Sequence, residues 1–415
     1  MQPRIAFDRT IVTVAHADGA VVNTLIELAA PPAPSVERPP LDLVLVLDKS
    51  GSMNGAPIAS VKDATAHLLR ILGPDDRVAV VAFDSQVELV LDLDSHDTDA
   101  AIAKVDAIRS GGSTNLSGGW LKAVEILASS KREHALRRVV LLTDGQANIG
   151  IIEPDALCTH TASARAQGIT TSTIGFGDQF DEQLLSAIAD AGAGNDYWCA
   201  GPDQAPQIFN DEFEGLASVV AQNVSVELRP SAQIPGMRIL NEFPITEVNG
   251  GVQIALGDAY GSEKRKVVAE FLLPPVRDEG PFALGEIVLR WTTVGEDIEL
   301  HEVTVPIGIG VSTDADAPDP DADPAVTEQV NVLRAAEERR TALEAISRGD
   351  FDTASDAFSS AADLLDSAGG DHSLIHELRL DASRARQGMW SVMDTKKQWA
   401  TRRSELKGRK SRYDD

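Results

Sequence analysis

The sequence predicts a multidomain chain of class α/β + β + α, and three observations carry that prediction. Residues 41–215 alternate short apolar runs with amphipathic stretches, the pattern of an open, mainly parallel sheet covered by helices on both faces. The flanks of that segment have β texture, with alternating residues punctuated by Gly and Pro. Beyond a stretch rich in Asp and Pro at 313–324, residues 325–415 carry helical periodicity. A length of 415 residues suits two or three domains.

In the first 40 residues, Ile5-Ala6-Phe7 and Thr10 to Val14 alternate, and a turn at Asp18-Gly19 leads into Val21 to Ile26. This reads as two or three strands of a hairpin-like unit, closed by a Pro-rich connector. The α/β segment predicts strands at 42–48, 77–83, 87–92, 138–143, 169–175 and 196–200. Helices are expected at 57–72, 98–108, 116–130, 155–167, 181–191 and 203–214. The run Leu43 to Leu47 is apolar throughout, as a strand covered on both faces must be. Strand 87–92 follows a tight turn and is expected as an antiparallel edge.

Residues 218–312 predict strands near 223–229, 252–256, 264–273, 282–292 and 298–309. These are too few for a closed sandwich unless the strands of 1–40 join them. The α/β domain is therefore expected as an insertion in a β-sandwich built from both flanks. The acids Asp314, Asp316, Asp319, Asp321 and Asp323 lack the central Gly and terminal Glu of a calcium loop, so 313–324 reads as a solvated linker. Helices are expected over 325–347, 352–367 and 372–399. The string Arg348 to Ala354, then Phe358 and Ala361, resembles the second helix of a tetratricopeptide repeat, here as one helical hairpin plus a third helix.

Composition excludes several classes. No apolar run approaches the roughly 18 residues that span a bilayer, and Met1-Gln2-Pro3-Arg4 opens no signal-peptide core, so a cytoplasmic chain is the expectation. With 37 basic and 64 acidic residues the formal charge is −27, which argues against binding nucleic acid or anionic membrane. Cys158 and Cys199 sit among apolar neighbours and read as small buried residues. From Lys396 to Arg412 stand eight basic residues and one acid, Glu405. That tail reads as a frayed, solvated helix, with weak docking to nucleic acid or an acidic partner as the alternative.

The chemistry gathers in three strings. Asp48-Lys49-Ser50-Gly51-Ser52 leaves the buried strand with oxygen donors at alternate positions, and Gly51 is expected to let Asp48, Ser50 and Ser52 converge. Gly111-Gly112-Ser113-Thr114-Asn115 enters the helix 116–130, and Leu141-Leu142-Thr143-Asp144-Gly145 ends another buried strand in a carboxylate. Hard oxygen donors suit Mg²⁺, Mn²⁺ or Ca²⁺. Ligands of open α/β sheets gather at the carboxyl ends of strands where the order reverses, and the strands ending at Asp48 and Asp144 are the natural pair.

Asp-x-Ser-x-Ser, a later loop threonine and a still later Asp-Gly resemble the metal-ion-dependent adhesion site of von Willebrand factor A (VWA) domains, and are similar to integrin I domains. The resemblance covers residues 41–215 and implies a Rossmann-like domain. It implies that Asp48, Ser50, Ser52, Thr114 and Asp144 hold Mg²⁺ (alternatively Mn²⁺ or Ca²⁺), with the Lys49 side chain turned away. It further implies a partner protein that supplies a Glu or Asp to the metal, in an adaptor similar to bacterial proteins that work with MoxR-type AAA+ ATPases. Inter-α-trypsin-inhibitor heavy chains likewise follow a β region with such a domain. In integrin-type members the helix at the place of 203–214 shifts on ligand binding.

No His is expected beside the three loops, so a binding protein rather than an enzyme is expected. The alternatives are a metal-dependent hydrolase on the same residues and a scaffold that binds through its C-terminal helices. His372 and His376 share a helix face with Glu377 and no third donor, Arg348-Gly349-Asp350 reads as a turn, and Gly175-Phe176-Gly177 simply ends a strand.

Overall fold

The computed structural model describes the chain apart from residues 14–19, 33–38, 133–134, 145, 178–179, 200, 202–203, 205–206, 209–211, 213–217, 294–298, 315–316 and 407–415, and apart from the side chains of 404–406. Three strands open it: β1 (Gln2–Phe7), β2 (Ile11–Thr13) and β3 (Val21–Ala29). The central segment runs β4 (Leu41–Asp48), a 3₁₀ turn (Gly51–Met53), α1 (Ala56–Ile71), β5 (Arg77–Phe83), β6 (Val87–Asp94), α2 (Thr98–Asp106) and α3 (Leu116–Ser129). It continues with β7 (Leu136–Thr143), α4 (Pro154–Ala166), β8 (Ile169–Phe176), α5 (Glu182–Ala191) and β9 (Ala193–Cys199).

These six strands form one sheet in the order β6-β5-β4-β7-β8-β9, parallel except for the antiparallel edge β6. All eight residues of β4 are buried, because its two faces feed two different cores. Leu43, Leu45 and Leu47 pack with Val61, Leu68 and Val105 of α1 and α2, whereas Val44 and Val46 pack with Trp120, Leu157 and Leu184 of α3, α4 and α5. The buried carboxylate Asp42 is satisfied by Arg77 and by Ser130 Oγ at 2.7 Å. Most of the expected helix 203–214 lies outside the described residues; Gln207, Ile208 and Glu212 within it are helical.

Seven strands follow: β10 (Val219–Pro230), β11 (Gly236–Ile239), β12 (Ile245–Val248), β13 (Gly251–Tyr260), β14 (Lys264–Leu272), β15 (Gly280–Thr293) and β16 (Leu300–Ser312). They share two sheets with the N-terminal strands, in the orders β1-β3-β14-β11 and β12-β13-β10-β15-β16-β2. One apolar cluster joins both sheets through Val22, Ile26, Val226, Ile254, Phe271 and Leu289. The hairpin expected around Asp18-Gly19 does not form as a pair. Strand β2 runs parallel to β16 in one sheet, while β3 pairs β1 and β14 in the other; the turn itself lies outside the described residues. Long-range partners outweigh local turn chemistry here. The short strands β11 and β12, four residues each, carry too little pattern to be read in advance.

Helices α6 (Pro324–Ser347), α7 (Phe351–Ser367), α8 (His372–Arg386) and α9 (Val392–Leu406) complete nine α-helices among the described residues. Val326, Val330 and Leu333 of α6 cover Leu25 and Val268 on the outer face of the four-stranded sheet, which is why β3 is buried on both sides. Three expectations are corrected in this region. The helix expected over 372–399 is two helices, broken at Gly388 (φ 66°) and restarted by a reciprocal cap between Ser391 and Asp394. The stretch 313–324 is not a free linker: the Asp319 carboxylate accepts from the Thr10 and Ile11 amides at 2.7 and 3.0 Å, and Asp323 caps α6 and pairs with Arg4. Burial alone would raise the Asp319 pKa, but those hydrogen bonds hold it below the ordinary value.

The basic tail, as far as Arg403, is docked rather than frayed. Lys396, Arg402 and Arg403 are buried against Glu182, Glu242, Asp190 and Asp196, and Trp399 and Ala400 join the core under α3 and α5. Their opposite-charge partners lie more than 150 residues away in sequence, so no local pattern shows them.

Candidate metal centre

Strand β4 delivers Asp48 to the carboxyl end of the sheet, and Leu47 stands in register with Leu142 on β7, so Thr143 and Asp144 leave the sheet beside Asp48. This is the point where the strand order reverses, β5 lying on one side of β4 and β7 on the other. Asp48 is fully buried. Its Oδ1 accepts from the Ser50 amide at 2.7 Å, and its Oδ2 accepts from the Thr143 hydroxyl. The Ser50 and Ser52 hydroxyls lie 3.1 Å apart, and Ser52 Oγ donates to Asp144 Oδ1 at 2.8 Å. Four of the five expected residues thus form one hydrogen-bonded chain, joined from Asp48 to Ser50 through the Ser50 amide and from Ser50 through Ser52 to Asp144 by side-chain oxygens.

The fifth, Thr114, is buried and reaches the group through the backbone of its loop. Gly111 N donates to Lys49 O at 2.8 Å, and Gly51 N donates to Gly112 O at 3.1 Å. The Thr114 amide donates to Asn148 Oδ1 at 2.8 Å, while its carbonyl accepts from the amides of Asn148 and Ile149. Thr114 is therefore pinned between the loop after β4 and the loop after β7.

The conformational freedom expected of Gly51 belongs instead to Gly112, whose φ is +77°. A side chain there would bring Cβ within 2.9 Å of Ser85 Oγ, so only glycine lets this loop close on the turn after β5. Lys49 turns away from the oxygens, its ammonium 3.4 Å from Asp84 Oδ2 and 3.3 Å from Glu88 Oε2.

Sequence reasoning missed two supporting residues. Thr143 was visible only as the last residue of a strand, where a β-branched side chain needs no other explanation. Asn148 carried no signal beyond standing four residues after Asp144.

Burial raises the pKa of Asp48, with hydrogen bonds from Thr143 and Ser50 opposing and the charge of Asp144 adding to the rise. Burial raises Asp144 as well, opposed by Ser52 and its own backbone. Two carboxylates that resist being anionic together are what a cation would relieve. The donors are hard oxygens throughout, so the group fits Mg²⁺, Mn²⁺ or Ca²⁺ and not a thiolate-seeking ion. Cys158 and Cys199 are free, and burial pushes the Cys199 thiol up to about 12. His372 and His376 lie on the exposed start of α8. Gly349 (φ 76°) and Asp350, which caps α7, account for the Arg-Gly-Asp string as a turn.

Residues 42–210 match the family model of the von Willebrand factor type A domain, and this segment is such a domain. The uncharacterized protein sll0103 of Synechocystis sp. is 30% identical over 264 residues, 61% of this chain and 62% of that protein. The E3 ubiquitin-protein ligase WAV3 of Arabidopsis thaliana is 28% identical over 57% of this chain and 32% of its own length. The chain therefore spans less than two thirds of each of these relatives. A solved von Willebrand factor type A structure from Catenulispora acidiphila has the same fold, with a TM-score of 0.71 and 19% identity across 91% of this chain and 89% of that one. Domains of this class commonly mediate protein–protein interactions. No helix among the described residues is long and apolar enough to cross a membrane.

Proposed function

We propose that the chain is a divalent-metal-dependent protein-binding adaptor. Asp48, Ser50, Ser52, Thr114 and Asp144 hold Mg²⁺ (alternatively Mn²⁺ or Ca²⁺), and a Glu or Asp of a partner protein completes the coordination. The observation that carries this reading is the hydrogen-bonded chain from Asp48, through the Ser50 amide and the Ser50 and Ser52 hydroxyls, to Asp144, drawn from two loops at the reversal of strand order. A bound divalent ion would supply an electrophilic centre with a preference for anionic oxygen. The protein's own residues supply only two carboxylates, so they leave that preference unsatisfied and favour an acidic ligand.

In this reading the strands of both flanks act as one sandwich that carries the A domain, a role supported by the cluster shared between their sheets. Helices α6 and α7 serve as a tetratricopeptide-like hairpin offering a second docking surface. A MoxR-type AAA+ ATPase is the first partner to test.

The test is titration calorimetry of Mg²⁺ and Mn²⁺ into the full chain, followed by affinity capture from cells with Mg²⁺ or EDTA. Divalent uptake abolished by Asp48→Ala is expected, as is a set of proteins recovered with metal only and lost in Thr114→Ala. Absence of divalent uptake by the intact chain would sink the proposal. Capture that survives EDTA and is lost on removal of residues 325–415 would place the interaction on the helices instead.

A further inference from the structure

We propose that Lys396, on helix α9, is a positioning residue for the metal site, acting through Phe180 and Thr143 on the Asp48 carboxylate. The inference rests on the metal reading above and adds to it a control point in the C-terminal region of the chain.

Four contacts make the link. The buried Lys396 ammonium donates to the Phe180 carbonyl at 2.6 Å and pairs with Glu182, and it lies 4.0 Å from the centre of the Phe180 ring. The Phe180 ring is buried against Gly175, so close that a Cβ on Gly175 would stand 2.4 Å from it. Gly175 on β8 is in register with Thr143 on β7. Thr143 in turn donates its hydroxyl to Asp48. Three links are close contacts of buried groups and the fourth, Gly175 to Thr143, is strand pairing inside the sheet, and packed interiors pass on displacements rather than absorb them.

The Thr143 hydrogen bond occupies Asp48 Oδ2, just as the Ser50 amide occupies Oδ1. The stance of Thr143 therefore decides how the carboxylate presents its remaining lone pairs to an ion. Groups that hydrogen-bond and orient a metal's ligands tune the site, and losing one typically costs about 10–100-fold in metal affinity. Lys396 differs from its neighbours on the same helix. Arg402 pairs with Glu242 of the β region and Arg403 with Asp190 and Asp196, whereas Lys396 is the cation seated on the Phe180 backbone and ring. By thermodynamic reciprocity, an ion at the site must also tighten the seating of α9.

The experiment is Mn²⁺ calorimetry on the full chain, comparing the wild type with Lys396→Met and Arg402→Met, together with amide exchange of residues 392–403. Lys396→Met should weaken Mn²⁺ at least ~5-fold and Arg402→Met less than ~2-fold, since only the first loosens Phe180. Mn²⁺ should slow exchange in α9 of the wild type and not of Lys396→Met. Should Lys396→Met fail to fold, Phe180→Leu tests the same link and should weaken Mn²⁺ to a like degree. Unchanged affinity in Lys396→Met, or an equal loss in both variants, would overturn the proposal while the metal reading stands. No Mn²⁺ uptake by the wild type would overturn both.

Discussion

At the scale of single residues, the buried charges make the sharpest expectations. Arg138 on β7 pairs with Asp258 on β13, and both are buried; its Nε and Nη1 have no hydrogen-bond partner among the described residues. Arg138→Met alone strands a buried carboxylate and should cost about 3–5 kcal/mol, whereas Arg138→Met with Asp258→Leu should come close to wild type. Urea unfolding of both variants checks this. Asp381 on α8 is a second case. Burial, reinforced by Glu377, raises its pKa to about 6, against hydrogen bonding from Gln398. A raised carboxylate pKa means that the folded chain binds this proton more tightly than the unfolded one. The stabilisation is full below the ordinary pKa and is lost as pH rises through about 6. Asp381→Asn should therefore gain about 1–3 kcal/mol over wild type at pH 7 and little at pH 4, measured by denaturant titration at both. The same scale shows what could be read in advance. Asp48, Ser50, Ser52, Thr114 and Asp144 stood out because oxygen donors in strand-end loops are conspicuous. Thr143 and Asn148 did not, because a threonine at the end of a strand and an asparagine in a loop each have common structural uses.

At the scale of elements, legibility followed local pattern. Strand β4 was evident from its unbroken apolar run, since burial on both faces leaves no polar position to interrupt it. Leu45→Ala at its centre should cost about 2–5 kcal/mol, seen as a lowered urea midpoint with an unchanged slope. Helices α8 and α9 ran together in the sequence because helical periodicity continues across Gly388, and a single glycine costs a helix only about 1 kcal/mol. The decisive signal was the reciprocal cap of Ser391 and Asp394, which starts α9 afresh. Ser391→Ala should cost about 1 kcal/mol and speed amide exchange at the start of α9. Strands β2 and β3 misled for the opposite reason: a turn signal joined two segments whose partners lie in different sheets.

At the scale of the whole molecule, contacts between regions outweigh what any region shows alone. Helix α9 lies against the α/β core through Trp399, α6 lies on the four-stranded sheet, and Arg138 ties β7 to β13. Calorimetry of the intact chain should accordingly show one cooperative transition, and removal of residues 387–415 should lower its midpoint and split it in two. The succession of strands and helices was legible because hydrophobic periodicity changes along the chain; the docking of distant elements was not, because its charges pair across long stretches of chain. One further consequence follows from β3, whose neighbour β14 ends at Leu272. During synthesis the finished β3 must wait for about 240 more residues before that neighbour emerges, roughly 12–50 s at ordinary ribosome speeds. Throughout that interval a strand with grease on both sides hangs from the nascent chain, and a chaperone that shelters short apolar segments would find its natural client there.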